Sequence, residues 1–373
     1  MLSDRERLVL LNLIPDVGST RLRRLLDAFG DLDRVWKAGE NELQQVDGVG
    51  PRLAQRIAAG CRDAEGLQRE LALARRAGVQ IVTMEDADYP TPLRTIPDPP
   101  LALYIRGSLV ESDRIAVAVV GSRHASLYGV QVAERLSYDL ALRGVTVVSG
   151  LARGIDAAAH RGALKAAGRT LAVLGNGLSA IYPPEHEDLA AQILEHGALI
   201  SEYPMETLPL PHNFPRRNRL ISGFSLGVVV VEAASRSGAL ISVDCALEQG
   251  REVFAVPGPM TSVTSQGTHQ LLKQGARLVT SVEDILEELR LSEQPVAATS
   301  ARNRIAGIPQ LPEGAQRVLG CLSEAPRHID TIAAESGLEL PEVSSLLLQL
   351  ELKRVVRQLP GKQFIRDVKS AQG

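Results

Sequence analysis

Hydrophobic positions recur with two different periods along this chain. Over residues 1–75 they follow helical spacing cut by Gly-containing turns, which predicts helices at Arg5–Leu13, Ser19–Phe29, near Asn41 and at Pro51–Ala59. From about 101 to 290, short apolar runs alternate with helical patterns. The runs predict strands at Ile115–Val120, Val145–Val148, Thr170–Leu174, Leu199–Ser201, Val228–Val231 and Val253–Val256, with a short one at Arg277–Val279. Helices are expected between them near Tyr128–Arg143, Ile155–Ala167, Pro184–Glu195 and Ala239–Glu248. Near-continuous apolar strands alternating with helices belong to a buried, mainly parallel sheet, so the expected class is α/β with a Rossmann-like core. The ligand of such a sheet lies at the carboxyl ends of its strands. Further on, Gly314–Ser323, Ile329–Ser336 and Pro341–Lys353 read as helices. Val355–Leu359 and Gln363–Ile365 read as strands turning at Pro360-Gly361, which completes the pattern of a winged helix.

These periods divide the chain into a helical domain over 1–75, an extended Rossmann-like domain over 76–290, a polar linker over 291–310 and a winged-helix domain over 311–373. Residues 88–100 hold five prolines and are expected to run extended, as a strap packed through Tyr89, Leu93 and Ile96. The helical domain contains a weak repeat. Val17-Gly18-Ser19-Thr20-Arg21-Leu22 returns 32 residues later as Val49-Gly50-Pro51-Arg52-Leu53-Ala54. The second copy has the look of a helix-hairpin-helix, whose exposed helix start can hold a phosphate. Twelve basic and twelve acidic residues over 1–75 equally fit a plain helical hairpin.

Composition narrows the function. The 373 residues allow two or three domains, and 45% apolar with 23% charged residues excludes bulk disorder. Aromatics are only 3%, so the core is built of Leu, Val, Ile and Ala. With 41 Lys and Arg against 44 Asp and Glu, the net charge is −3, and any anion-binding surface has to be local. Cys61, Cys245 and Cys321 lie far apart with no CxxC, which excludes a zinc ribbon or disulfide framework and fits a reducing cytoplasm. No apolar run reaches 18 residues and the N-terminus is charged, so a soluble cytoplasmic protein without a membrane segment is expected.

Candidate chemistry sits at the predicted strand ends. The first ends in Gly121-Ser122-Arg123 and the second in Ser149-Gly150-Leu151-Ala152-Arg153-Gly154. The third ends in Gly175-Asn176-Gly177 and the fifth in Glu232-Ala233-Ala234-Ser235-Arg236-Ser237-Gly238. Small residues, arginines and helix starts together predict a broad anion-binding rim, with donors of the helix after Ser126 pointing outward. The residues argue against a dinucleotide cofactor: GxGxxG is absent after the first strand and no acid ends the second. Gly223-Phe224-Ser225-Leu226-Gly227 matches GxSxG but precedes a strand, which is wrong for a nucleophile elbow. His160, four residues after Asp156, is expected to pack, and the scattered histidines show no metal spacing. No cofactor, metal or catalytic residue is therefore expected. The most informative stretch is Phe214-Pro215-Arg216-Arg217-Asn218-Arg219, with Phe214 in a polar loop and a helix expected to begin at Asn218. An aromatic face, an amide and guanidiniums suit a single nucleic-acid strand or a small nucleotide.

On these residues the chain resembles the DNA-processing protein A family, DprA or Smf. The likeness is carried by Val119-Val120-Gly121-Ser122-Arg123, Ser149-Gly150-Leu151-Ala152-Arg153-Gly154-Ile155-Asp156, Tyr182-Pro183, Phe214-Pro215-Arg216-Arg217-Asn218-Arg219-Leu220-Ile221-Ser222 and Val230-Val231-Glu232-Ala233 with Ser237-Gly238. The resemblance implies non-enzymatic single-stranded DNA binding, displacement of single-strand binding protein, and loading of RecA in natural transformation. It implies a homodimer through the Rossmann-like domains, in the neighbourhood of Leu271, Leu272 and Leu278. It also implies a sterile-alpha-motif or helix-hairpin-helix domain in front and a winged helix behind. Expected DNA contacts are Gly121, Ser122, Arg123, Ser149, Gly150, Arg153, Gly154, Phe214, Arg216, Arg217, Asn218 and Arg219. The family pattern has a Lys shortly before the phenylalanine, where Pro211, His212 and Asn213 stand here. A second resemblance is to nucleoside-monophosphate phosphoribohydrolases of the lysine-decarboxylase-like group, but the Glu of their PGGxGTxxE loop has no counterpart after Gly238.

Overall fold

A computed structural model describes residues 2–291, 313–322, 327–352, 356–359 and 362–366. They fall into two units, Met1–Val296 and Ala297–Gly373.

The first unit opens with helices α1 (Asp4–Leu13), α2 (Ser19–Phe29), α3 (Leu32–Lys37), α4 (Glu40–Leu43), α5 (Pro51–Gly60) and α6 (Ala64–Arg76). Ser3 and Glu6 form a capping box at the start of α1, and Pro51 fills the first turn of α5, where its missing N–H is no loss. The repeated segments converge: Val17, Leu22 and Leu25 share one buried cluster with Val49, Leu53 and Ile57.

Nine strands follow: β1 (Val79–Thr83), β2 (Ala102–Gly107), β3 (Ala116–Val120), β4 (Thr146–Ser149), β5 (Thr170–Val173), β6 (Ala198–Ser201), β7 (Gly227–Val230), β8 (Glu252–Ala255) and β9 (Arg277–Leu278). Interleaved are α7 (Thr91–Arg94), α8 (Leu127–Leu142), α9 (Ile155–Lys165), α10 (Glu187–His196), α11 (Asn213–Gly223), α12 (Ala239–Glu248), α13 (Gln266–Lys273) and α14 (Val282–Glu288). The strand order is β1-β2-β6-β5-β4-β3-β7-β8-β9. Strands β3 to β9 run parallel, while β2 pairs antiparallel with β6 and β1 with β2. On β3 every residue is buried, because alternate side chains enter different layers. Ala116, Ala118 and Val120 meet Leu220 of α11 and Val243 of α12, whereas Val117 and Val119 meet Leu136 of α8 and Ile285 of α14. From β3 the chain winds outward to β6, then returns to β7 on the other side of β3. That reversal opens a crevice at the carboxyl ends of β3, β4 and β7.

Three local expectations need correction. Strands β1 and β2 extend the sheet where only a Pro-rich joint was legible. The strap buries Tyr89, Leu93 and Ile96, with Tyr89 Oη donating to Pro100 O at 2.8 Å, but it contains the helical turn α7. Pro92 sits in that first turn, where no N–H is needed. Helix α11 begins at Asn213, five residues before the expected start, because Pro215 is tolerated in a first turn. Phe214 therefore stands on a helix.

The second unit contains α15 (Glu313–Gly320), β10 (Arg327–His328), α16 (Ile329–Ser336), α17 (Leu340–Leu352), β11 (Val356–Leu359) and β12 (Gln363–Arg366). Its antiparallel sheet has the order β10-β12-β11, which adds β10 to the expected winged helix. Val318, Ile332, Val343, Leu347 and Phe364 make its core. All of the expected 291–310 linker except Leu291, together with Lys353, Arg354 and Pro360-Gly361, lies outside the described residues.

Candidate nucleic-acid interface

The crevice at the reversal point is a cleft of ≈ 460 Å³ between the β3 loop, the first turn of α11 and the start of α12. Phe214 forms its floor. The half-buried ring lies over Gly175 at the end of β5, where a Cβ would come within 2.8 Å of the ring. The Arg123 guanidinium carbon stands 5.0 Å from the ring centroid and that of Arg217 5.8 Å, both in cation–π range. The Tyr182 ring lies 5.7 Å away, tilted by 47°.

The arginines that look alike in the sequence divide into different tasks. Arg123 is exposed, and among the described residues no ion pair holds it. Arg216 is also exposed, with Nε 3.7 Å from Glu202 Oε2. Arg217 is buried beneath the loops: Nη1 donates to Gly150 O at 2.8 Å and to Val173 O, and Nε to Asn218 Oδ1 at 3.2 Å. Burial pulls its pKa down to about 10, which leaves it charged at neutral pH. Arg219 turns away toward the N-terminal helices. Its Nη2 meets Glu202 Oε2 at 2.7 Å and its Nε meets Asp98 Oδ2 at 3.1 Å. Burial opposes its charge, but these two carboxylates outweigh the effect and raise its pKa. Asp98 also accepts from Ser19 Oγ at 2.5 Å, and Asn12 Nδ2 donates to Glu202 O at 3.0 Å, so Arg219 belongs to the joint between the helical domain and the sheet. Arg153 pairs with Glu185 in solvent. Asn218 bridges elements, its Nδ2 donating to Gly238 O at 3.3 Å.

The glycines of the rim are required by close approach. A Cβ on Gly121 would stand 2.7 Å from Ile155 Cγ1, and one on Gly150 would stand 2.6 Å from the Arg217 guanidinium. Gly154 has φ +74°, and the next residue, Ile155, donates its N–H to Ser122 O at 3.2 Å. Two backbone donors expected to face a phosphate, those of Ser122 and Gly150, are engaged internally. Ser122 N donates to Glu232 O at 2.8 Å and Gly150 N to Asp156 Oδ2 at 3.2 Å, while Ser149 Oγ donates to Val119 O at 2.7 Å. The start of α8 is likewise occupied, which corrects the expectation of outward donors. The buried Glu232 carboxylate accepts from Ser126 N at 2.9 Å and Ser126 Oγ at 2.5 Å, and Ser126 Oγ accepts from Gly129 N. The sequence places Glu232 at a strand end but does not reveal its role as a buried acceptor, because an acid there reads equally well as an exposed loop residue.

Ser122, His124, Asp156 and Ser237 also line the cleft. Asp156 is buried and accepts the N–H groups of Gly150 and Ala152, and burial, partly countered by Arg217, pushes its carboxyl up. His160 is wholly buried. Thr170 Oγ1 donates to Val147 O, so at 2.7 Å it accepts from His160 Nδ1–H. Burial lowers the imidazole pKa to about 3, so the ring stays neutral. Tyr182 and Ser237 were not singled out for contact by sequence. Of the suggested dimer residues, Leu271 is in the core, Leu272 packs partly against it, and Leu278 on the edge strand β9 is 53% exposed.

A switch-point cleft floored by an aromatic ring with the exposed Arg123 over it, on a mainly parallel sheet preceded by a helical-hairpin domain, defines an α/β protein of the Rossmann-like class. The chain belongs to the DprA/Smf family: the model of DNA recombination-mediator protein A matches residues 80–290. The DprA winged helix domain matches residues 305–362 and a helix-hairpin-helix motif residues 8–64. Protein Smf of Escherichia coli strain K12 is 41% identical over 91% of this chain and 93% of its own length. The X-ray structure of DNA processing protein A from Streptococcus pneumoniae is 33% identical, with TM-score 0.67 over 77% of this chain and 99% of that one. The corresponding Helicobacter pylori protein, whose structure was described for its single-stranded DNA binding mode, is 29% identical, with TM-score 0.52 over 58% of this chain and 99% of that one.

Proposed function

We propose that this protein binds single-stranded DNA across the cleft, without altering it chemically, and hands the strand to RecA during recombination and natural transformation in the cytoplasm. The observation that carries this is the Phe214 ring with the unpaired Arg123 on it: a face for any base beside a cation for its phosphate. In this proposal Phe214, Arg123, Arg216 and Asn218 touch DNA and Arg153 flanks them. Gly121, Ser122, Ser149, Gly150, Gly154 and Arg217 hold the frame, and Arg219 anchors the helical domain. Membership of the DprA/Smf family supports RecA and single-strand binding protein as partners, and a homodimer whose contact includes Leu278. No cofactor enters the mechanism. A phosphoribohydrolase is disfavoured by the buried, neutral His160 and by Asp156 bonded to backbone N–H groups. The test is RecA filament growth on single strands precoated with single-strand binding protein. Growth should start promptly with this chain and stay blocked with Phe214→Ala. Release of free base from nucleotides, with no effect on RecA, would refute the proposal.

A further inference from the structure

Beside the Phe214 floor stands a second aromatic ring. Tyr182 is half-buried, 5.7 Å from Phe214 and inclined by 47°. Its loop is fixed from below: buried Asn176 donates Nδ2 to Gly177 O at 2.9 Å and Ala180 O at 2.8 Å, and accepts at its own carbonyl from Ser201 Oγ at 2.7 Å. The half-exposed Arg153, which pairs with Glu185, also interacts with the Tyr182 hydroxyl. The groups thus run cation, ring, ring, cation across the strand ends, from Arg123 through Phe214 and Tyr182 to Arg153.

Resting on the single-strand assignment above, we propose that Tyr182 is a second base platform. Two consecutive nucleotides of one strand lie on Phe214 and Tyr182, with flanking phosphates at Arg123 and Arg153. A stacked strand rises only about 3.4 Å per nucleotide. Rings 5.7 Å apart and tilted by 47° cannot carry two bases still stacked on each other, so the site takes a splayed single strand and rejects a duplex.

The full chain is photo-crosslinked to an oligothymidylate carrying one iodouracil, and adducts are mapped by mass spectrometry. Adducts on both Phe214 and Tyr182 are expected. Tyr182→Ala should weaken binding by about tenfold or more, and Tyr182→Phe should stay within about twofold of the unaltered chain. Adducts on Phe214 alone, with Tyr182→Ala binding normally, overturn the second platform and leave the cleft assignment standing. Adducts on neither ring in a chain that still binds overturn both. Because the mapping uses the unaltered chain, it decides the matter even where Tyr182→Ala fails to fold.

Discussion

Arg123 and Arg217 approach the same phenylalanine ring and do opposite things. Arg123 is exposed and available, while Arg217 is buried and donates to the carbonyls at the ends of β4 and β5. Arg217→Met should therefore lower unfolding free energy by about 1–3 kcal/mol, the cost of leaving buried acceptors unmet. Arg123→Ala should leave it nearly unchanged, and urea denaturation separates the two. Phe214 was legible because a lone aromatic in a polar, Pro-flanked stretch has no core to join. The division of labour among Arg216, Arg217 and Arg219 was not, because one residue type serves three burial environments that only the packing of α11 decides.

Elements carry the next level. The hydrophobic period located β3 to β9 and helices α8, α9 and α12 within a residue or two and α10 within three, since strands buried on both faces are nearly continuous apolar runs, but it gave no helix at α14. It missed β1 and β2 because the intervening prolines dominate that region, and it missed the early start of α11 because Pro215 reads as a helix stop. The repeated hairpins have also diverged. Ser19 at the start of α2 is bonded to Asp98, whereas nothing lies within 4 Å of a Cβ placed on Gly50 before α5. The α9–β5 contact has a pH signature. His160 faces His186, Arg217 and Arg161, and its folded pKa of about 3 lies below the unfolded 6.5. Its contribution is thus full above pH 6.5 and is lost as pH falls toward 3, by about 1.4 kcal/mol per unit. Asp156, pushed up by burial, gives the opposite slope from about pH 4 upward. The check is the urea midpoint at several pH values below 6.5, where His160→Gln, which retains Asp156, should fall less steeply than the unaltered chain.

At the scale of the whole molecule, the winged helix invites an assignment to duplex recognition, and its surface speaks against it. The exposed positions of α17 include Glu342, Ser344, Ser345 and Gln349, and residues 313–373 hold eight basic and eight acidic side chains. Base readout in a major groove is made chiefly by Arg, Lys, Asn and Gln, so this helix offers little to it. Removing residues 300–373 should leave single-strand affinity within about tenfold, or about 1.4 kcal/mol, by titration of the truncated chain. For self-association, Leu278→Arg should give a folded monomer in sedimentation, whereas Leu271→Arg should unfold because Leu271 lies in the core. The central claim remains the Phe214–Arg123 platform. Its most direct test is fluorescence anisotropy of a short labelled single strand and its duplex over a salt series. The unaltered chain should prefer the single strand, Phe214→Ala should cost about 1–3 kcal/mol, and Arg123→Ala should flatten the salt slope by about one ion. Equal binding of strand and duplex, with both variants indistinguishable from the unaltered chain, would contradict it.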